Sequence, residues 1–408
     1  MCDYWDVSRT YRTLRFIVAA LALPAALWAQ APTIREAVDA ALRANADVAI
    51  SRLRVDSASG ERRIARGLPP LTLASVPQVP WQYSISAPVD IGPQRFLRTR
   101  AAGDAVRAAE ADAADTRREV TFSVRQVFAD VMLAEMAREV AREERSLLAQ
   151  VLAADSARQR AGDVPEREVT KAEIELARAD AVLTRADAQV HAGRLALQLL
   201  MGRPNPDTSV GVRGDLTYRG VTIPDSLLAL AKQNRPDVRA VRERVNQSRA
   251  LQELSAAQLL PVPTAAVVYQ NGAPFTNGSQ YALGMGLQVP LLYWNTGERE
   301  RSRAGLASAQ VAERRTRAQV TNDVLTAFDA YRQSSTLAER YQGGLVARAA
   351  AALEATRFAY QAGAASLLEL IEAVRTDAAV RIDDVTARHD YWVALYALCR
   401  ATATDLIP

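Results

Sequence analysis

Side chains able to do chemistry are scarce in this sequence of 408 residues. Histidine occurs only at His191 and His389, and cysteine only at Cys2 and Cys399. A metal centre needs several such ligands at close spacing, and the sequence holds no Cys/His cluster of that kind. Gly284-Met285-Gly286 lacks a third glycine, sits within an alternating strand-like pattern and opens no helix, so it is no dinucleotide-binding turn. No serine elbow or Ser/His/Asp constellation stands out. The chain therefore reads as a non-enzyme, with no cofactor and no catalytic or metal residue to assign.

What the sequence carries instead is a pattern of elements. Two halves repeat each other, and each puts two short alternating strands ahead of a very long helical run. The first run extends from about Leu97 to Ala161, interrupted only by Gly103. The second, Glu298 to Gln361, carries Gly305, Gly343 and Gly344 but no proline. A soluble helix averages about 11–12 residues, whereas one of about 65 would be roughly 100 Å long. Shorter helices, Asp47–Arg66 with Glu166–Met201 and Asp237–Leu259 with Ala364–Ala401, match the two rods in length. In the last, Leu367, Ile371, Val374, Ala378, Ile382, Val385, Trp392, Tyr396 and Cys399 form an apolar seam at three- and four-residue spacing. His389 lies on that stripe as a hydrogen-bonded packing residue. The repeat shows in short matches: Asp47-Val48 with Asp237-Val238, Arg160-Ala161-Gly162 with Gln361-Ala362-Gly363, and Pro88…Gly92…Arg95 with Pro290…Gly297…Arg299. The expected organisation is a signal peptide at 1–30, a first repeat at 31–203, a linker at 204–222, a second repeat at 223–402 and a tail at 403–408.

The amino terminus reads as an export signal. Arg9, Arg12 and Arg15 precede the apolar run Phe16–Leu27, with small residues at Ala29 and Ala31 as cleavage positions. Cys2 lies upstream of that run, so it is no lipid-anchor cysteine, and Cys399 alone cannot form an internal disulfide. Composition is 49% hydrophobic, 6% aromatic and 24% charged with a net charge of +4, suited to long helices packed through small side chains. Acids and bases interleave, so a nucleic-acid partner is excluded.

The strand faces say where the strands live. Trp81, Tyr83, Ile85, Ala87 and Val89 alternate with Gln82, Ser84, Ser86 and Asp90. Tyr281, Leu283, Met285, Leu287 and Val289 alternate with Ala282, Gly284, Gly286 and Gln288. One apolar face led by an aromatic, opposite a small or polar face, fits a transmembrane β-strand of about ten residues. Weaker strands are expected at Leu71–Val79 and Pro263–Asn271. Four strands cannot close a barrel, and an open edge cannot sit in lipid. Three copies give twelve strands and an aqueous lumen, so a homotrimer follows from hydrogen bonding alone. The alternative is a soluble periplasmic coiled-coil scaffold or adaptor whose strands form an ordinary hairpin sheet.

With these landmarks the chain resembles the TolC-like outer membrane factor family over nearly its whole mature length. The resemblance implies a mainly α fold with a small β part: a trimeric α-barrel tunnel plus a 12-stranded transmembrane β-barrel, four strands per protomer. It implies an outer membrane exit duct with a long periplasmic part, serving a periplasmic adaptor and an inner-membrane transporter. Lipid would face Trp81, Tyr83, Ile85, Tyr281, Leu283, Met285 and Leu287. The Gly162 and Gly363 turns would be the adaptor-docking points. A periplasmic gate would comprise Tyr360 before the second turn, the acid pair Glu369 and Glu372 after it, and Arg167 and Glu168 after the first. Ala365 stands where some members carry an arginine, a cation that Arg167 could replace. Three-fold repetition would put six carboxylates around a narrow neck, a field that favours cations and binds divalent ions. The missing anchor cysteine and short hairpins look more like the cation- or metabolite-efflux branches than the lipid-anchored drug-efflux branch.

Overall fold

The computed structural model describes residues 31–77, 81–90, 92–207, 209–271, 279–287 and 294–407. The signal-peptide reading at 1–30 and the Val289-Pro290 junction lie outside them. In chain order the elements are α1 (Ile34–Ala44), α2 (Ala46–Arg66), β1 (Thr72–Val76), β2 (Gln82–Pro88), α3 (Pro93–Ala161) and α4 (Glu166–Leu200). The second half follows with α5 (Leu227–Asn234), α6 (Pro236–Ala257), β3 (Pro263–Asn271), β4 (Ser279–Leu287), α7 (Thr296–Gln342), α8 (Leu345–Gln361) and α9 (Leu367–Thr402).

The two halves share local geometry at corresponding helix junctions. α1 and α2 meet at Asn45 (φ −65°, ψ 135°), and α5 and α6 meet at the equivalent Arg235 (φ −63°, ψ 125°). Arg235 precedes a proline, which drives it out of the helical region. Ala41 and Val48 around the first bend are fully buried, as are Ala231 and nearly Val238 around the second. The short helices α1 and α5 were not expected as separate elements, because each is too short to show a clear period.

The long runs differ from expectation in one respect. α3 is a single helix of 69 residues that begins at Pro93, where a missing amide hydrogen costs nothing. The second run is not one rod: it breaks between α7 and α8 at Gly343-Gly344. Gly344 adopts φ +91°, a left-handed geometry that interrupts the helical ladder and that glycine reaches without strain. Among the described residues, no helix is long and apolar enough to cross a membrane.

The chain divides into two compact units, and neither coincides with a repeat. One holds the residues through Ala46, Arg118–Asp225 and those from Leu325 onward; the other holds Asp47–Arg117 and Ser226–Val324. Helices make up the first. Its aromatic core, with Tyr391 fully buried, stitches down the linker between repeats. The Tyr331 hydroxyl donates to the Val221 carbonyl at 3.0 Å, Trp392 Nε1 donates to that of Thr217 at 3.2 Å, and the Tyr391 hydroxyl donates to that of Arg219. These bonds satisfy linker backbone that would otherwise be buried unpaired.

The second unit carries the sheet. Its four strands are antiparallel in the order β1-β2-β3-β4, so the central pair joins one repeat to the other. β3 has the bounds expected, Pro263–Asn271, and β4 has nine residues, whereas β1 and β2 are shorter than expected, with five and seven. Pro77 follows the end of β1 and Pro88 closes β2, since proline offers no donor to a ladder.

Candidate functional site

Pairing register decides which face each strand side chain joins, because directly opposed residues share a face. Tyr83 opposes Tyr269, which opposes Tyr281, and the ring centroids lie 6.3 and 5.1 Å apart. Trp81 stacks on Tyr83 at 6.4 Å. The next row is Leu73, Ile85, Val267 and Leu283. All the strand residues expected to face lipid therefore meet on one surface, and it is exposed: Leu283 is 89% and Met285 85% accessible. The opposite face presents Ser84, Ser86, Ala266, Gly284 and Gly286, small or polar in almost every row. Among the described residues both outer strands, β1 and β4, have one neighbour and one open edge.

The edge of the sheet that joins the helices is fastened by side chains donating to helix ends. Arg95 donates to the Arg66 carbonyl (2.9 Å) and Arg98 to that of Ala65 (3.2 Å), while Arg98 also pairs with buried Asp90 at 2.7 Å. Gln94 Nε2 bonds the carbonyls of Ala257 and Leu260, and Asn295 Nδ2 bonds that of Ser255. The first residues of α3 and α7 thereby satisfy the last carbonyls of α2 and α6, which no helix can satisfy for itself.

In the helical unit the two Ala-Gly turns are the same motif. Gly162 (φ +86°) bonds back to Gln159 and Asp163 bonds back to Arg158. Gly363 (φ +76°) bonds to Tyr360 and Ala364 to Ala359. This paired pattern ends a helix in a left-handed residue, which is why glycine occupies both positions. Beside the turns lies an apolar cluster including Leu148, Val151, Ala172, Leu367, Leu370 and Ile371.

Set into that cluster is a polar link. The Tyr360 hydroxyl donates to the carboxylate of Asp155, a residue with no exposed surface. Burial first, and the bond to Asp155 second, push the Tyr360 phenol well above its ordinary range. The Arg158 guanidinium lies 4.0 Å from Asp155 Oδ1 and 5.8 Å from the Tyr360 ring centre. Asp155 Oδ2 has no hydrogen-bond partner among the described residues. Half-buried Glu168 adds its charge to the same locality. Sequence reasoning missed Asp155. Its signal was an acid on an otherwise apolar stripe with Leu148, Val151 and Leu152.

The other expected gate residues are placed differently. Glu369 reaches back to its own helix start: Oε2 accepts from the Ser366 backbone nitrogen at 2.6 Å, and Ser366 Oγ accepts from the Glu369 nitrogen at 3.3 Å. That reciprocal capping box is a structural duty. Glu372 is exposed on the next turn and Arg167 is exposed on α4. No ion pair within the chain joins Arg167 to either glutamate. His389 bridges two carboxylates, Nε2 to Asp130 at 2.7 Å and Nδ1 to Asp390 at 3.0 Å. It is hydrogen-bonded as expected. Among the described residues no group of three metal-ligating side chains converges.

Comparison with known proteins gives consistent results. A family profile described as "Outer membrane efflux protein" matches residues 227–404. The cobalt-zinc-cadmium resistance protein CzcC of Cupriavidus metallidurans is 24% identical over 350 residues, covering 84% of this chain and 83% of that one. The Campylobacter jejuni CmeC outer membrane channel superposes with TM-score 0.79 at 15% identity, covering 91% of this chain and 86% of the other. The open state of the Neisseria gonorrhoeae MtrE outer membrane channel also gives TM-score 0.79, at 18% identity and with 92% and 90% coverage.

Proposed function

We propose that the chain is a member of the outer membrane efflux protein family, whose profile matches residues 227–404, and that its geometry makes a duct. It is the outer membrane exit of a tripartite efflux system, and it does no chemistry of its own. The observation that carries the reading is the sheet: an exposed apolar face and two open edges in one chain. In water that face would be a large aggregation-prone patch. In lipid the edges must be paired. Three copies, β4 of one against β1 of the next, pair every edge and turn the small polar face toward a lumen.

The test is direct. The protein should remain in the membrane pellet after a carbonate wash. Cysteine pairs placed one on β1 and one on β4 should give covalent trimers under mild oxidation. Recovery in the periplasmic fraction would restore the soluble-scaffold alternative.

The repeats at residues 31–203 and 223–402 supply two helical hairpins, whose Gly162 and Gly363 turns are the docking points for a periplasmic adaptor. An inner-membrane transporter supplies the energy. Tyr360, held by Asp155, fixes the second hairpin at the first in the closed gate, with Glu168 and Arg167 beside it. Glu372 and Glu369 line the neck, three copies of each. Two features favour divalent cations as cargo: this ring of carboxylates, and the cobalt-zinc-cadmium resistance named for the CzcC relative. Because Glu369 also caps α9, the informative variant is glutamine, which keeps a capping oxygen. Glu369→Gln with Glu372→Gln should raise conductance in planar bilayers and weaken both cation preference and divalent block. Glu166→Gln with Glu173→Gln is the control. An unchanged double variant would remove these acids from the gate.

A further inference from the structure

Four helix ends lie at the same end of the strands: the C-termini of α2 and α6 and the N-termini of α3 and α7. In the last turns of the first two and first turns of the others, 61–66, 93–100, 251–257 and 296–303, nine arginines stand against four glutamates and no lysine. Some of these arginines are committed to the framework, since Arg95 and Arg98 donate to helix carbonyls. Arg63, Arg66, Arg301 and Arg303 are not. All four are exposed, and their guanidinium groups have no hydrogen bond or ion pair among the described residues. Elsewhere the helices pair their surface charges freely, as in Arg317–Glu313, Arg178–Glu175 and Arg244–Asp112. At these helix ends Arg98 and Arg100 pair likewise, with Asp90 at 2.7 Å and Glu253 at 3.6 Å, while Arg63, Arg66, Arg301 and Arg303 do not.

The apolar surface does not stop with the strands either. Leu287 carries the lipid-facing parity to the last pair of the ladder, and Leu71 continues it one residue beyond β1. Phe96 and Trp294, on the first residues of the helical side, are 67% and 74% exposed. Large exposed aromatics beside unpaired arginines are out of place on a surface facing only water. They fit the boundary where hydrocarbon gives way to headgroups. A guanidinium presents a planar fork of donors that matches a phosphate, and its alkyl stem can lie along apolar surface.

On the reading of this chain as an outer membrane duct, we propose that these helix ends form an arginine collar for anionic glycerophospholipid. The lipids bound are those of the leaflet on the helical side. Arg63, Arg66, Arg301 and Arg303 hold the phosphates, while Phe96 and Trp294 sit among the upper acyl carbons. The collar fixes the depth at which the sheet stands in the bilayer, a positioning that the short five- and seven-residue strands β1 and β2 cannot secure alone.

The test uses the full trimer reconstituted in nanodiscs of phosphatidylethanolamine containing a minor fraction of phosphatidylglycerol. Native mass spectrometry then counts the lipids that stay bound after release. The parent should retain phosphatidylglycerol enriched about threefold over the bulk fraction. Arg63→Gln, Arg66→Gln, Arg301→Gln and Arg303→Gln together should return the ratio to bulk. The same loss of charge at Arg239, Arg242, Arg314 and Arg315, exposed arginines outside the four sheet-side helix ends, should leave enrichment intact. Should the fourfold variant fail to assemble, the pairs Arg63/Arg66 and Arg301/Arg303, changed separately, should each lose about half the excess. Enrichment that survives the collar substitutions, or falls equally in the controls, overturns the proposal. So does displacement of the retained lipid by millimolar inorganic phosphate, which would make the site a free-anion site. Failure of the duct reading looks different: the parent would not insert in discs of either lipid composition.

Discussion

The two helical hairpins descend from one repeated pattern yet are held together in different ways. Their turns share the same two paired hydrogen bonds, at Gly162 and Gly363. On the near side of the turn, the first hairpin has one unbroken helix, α3, where the second has α7 and α8 separated at Gly343-Gly344. On the far side, α4 starts at Pro165 with no side-chain cap, whereas α9 starts at Ser366 with a full capping box. Coverage differs too. α3 buries Ala101, Val106, Ala108 and Ala111 within its own chain, while α7 buries nothing before Val320. The first hairpin is continuous along its rod and lacks a side-chain cap after its turn; the second is interrupted along its rod and capped after its turn. A gate that opens by moving one hairpin against the other would use that asymmetry, with the Tyr360–Asp155 bond as the contact that breaks.

The comparison can be broken at its largest contrast first. Val311 on α7 is 55% exposed in the single chain, so its partner should be a second copy. Val311→Glu should cut trimer yield by about tenfold or more while leaving a folded monomer, because a buried unpaired charge costs several kcal/mol. Val106→Glu on the covered rod α3 should instead yield unfolded, degraded chain. Gel filtration with limited proteolysis separates the two outcomes. Next comes the link between hairpins. Tyr360→Phe strands a fully buried carboxylate and should cost about 1–3 kcal/mol in denaturant unfolding. Adding Asp155→Ala should cost less than the sum of the singles, since they share one bond.

Finer contrasts follow at the turns and along the rods. Ser366→Ala should cost about 1 kcal/mol and speed hydrogen exchange in the first turn of α9. Pro165→Ala, at the uncapped equivalent, should stay within about 0.5 kcal/mol. Gly344→Ala places a Cβ on a left-handed residue and should cost about 1 kcal/mol. Counting back equally from Gly162 lands on Glu143 inside α3, where alanine should cost only its ion pair with Arg381 (2.5 Å).

The smallest effect is electrostatic. Burial alone would depress the His389 pKa, but its bonds to Asp130 and Asp390 outweigh that and leave it raised. A raised folded pKa means the bridge contributes fully below the ordinary value of about 6.5 and is lost as pH rises through the folded value. The contribution should be a few tenths of a kcal/mol, given the exposed carboxylates. His389→Gln should flatten that part of the stability profile.

Much of this was legible in the residues themselves. Period-two alternation in Tyr281–Leu287 and the heptad seam of α9 each report a face, because a strand or helix presents its side chains with a fixed local period. The duplicated glycines at 162 and 363 report left-handed turns for the same local reason. The four-strand count and the need to close an edge then required other copies of the chain before any coordinates. Tertiary structure alone decided the rest. That Tyr83, Tyr269 and Tyr281 fall in one row depends on register between strands from different repeats, and no local rule sets it. Asp155 could be assigned only once folding brought it beneath Tyr360, 205 residues away in sequence. Glu369 looked like a free neck carboxylate until the start of α9 fixed Ser366 within its reach. Gly343-Gly344 could have remained within a helix, as Gly103 does in α3. Which glycines bend depends on the packing around them, a balance of about 1 kcal/mol per residue that the sequence does not display.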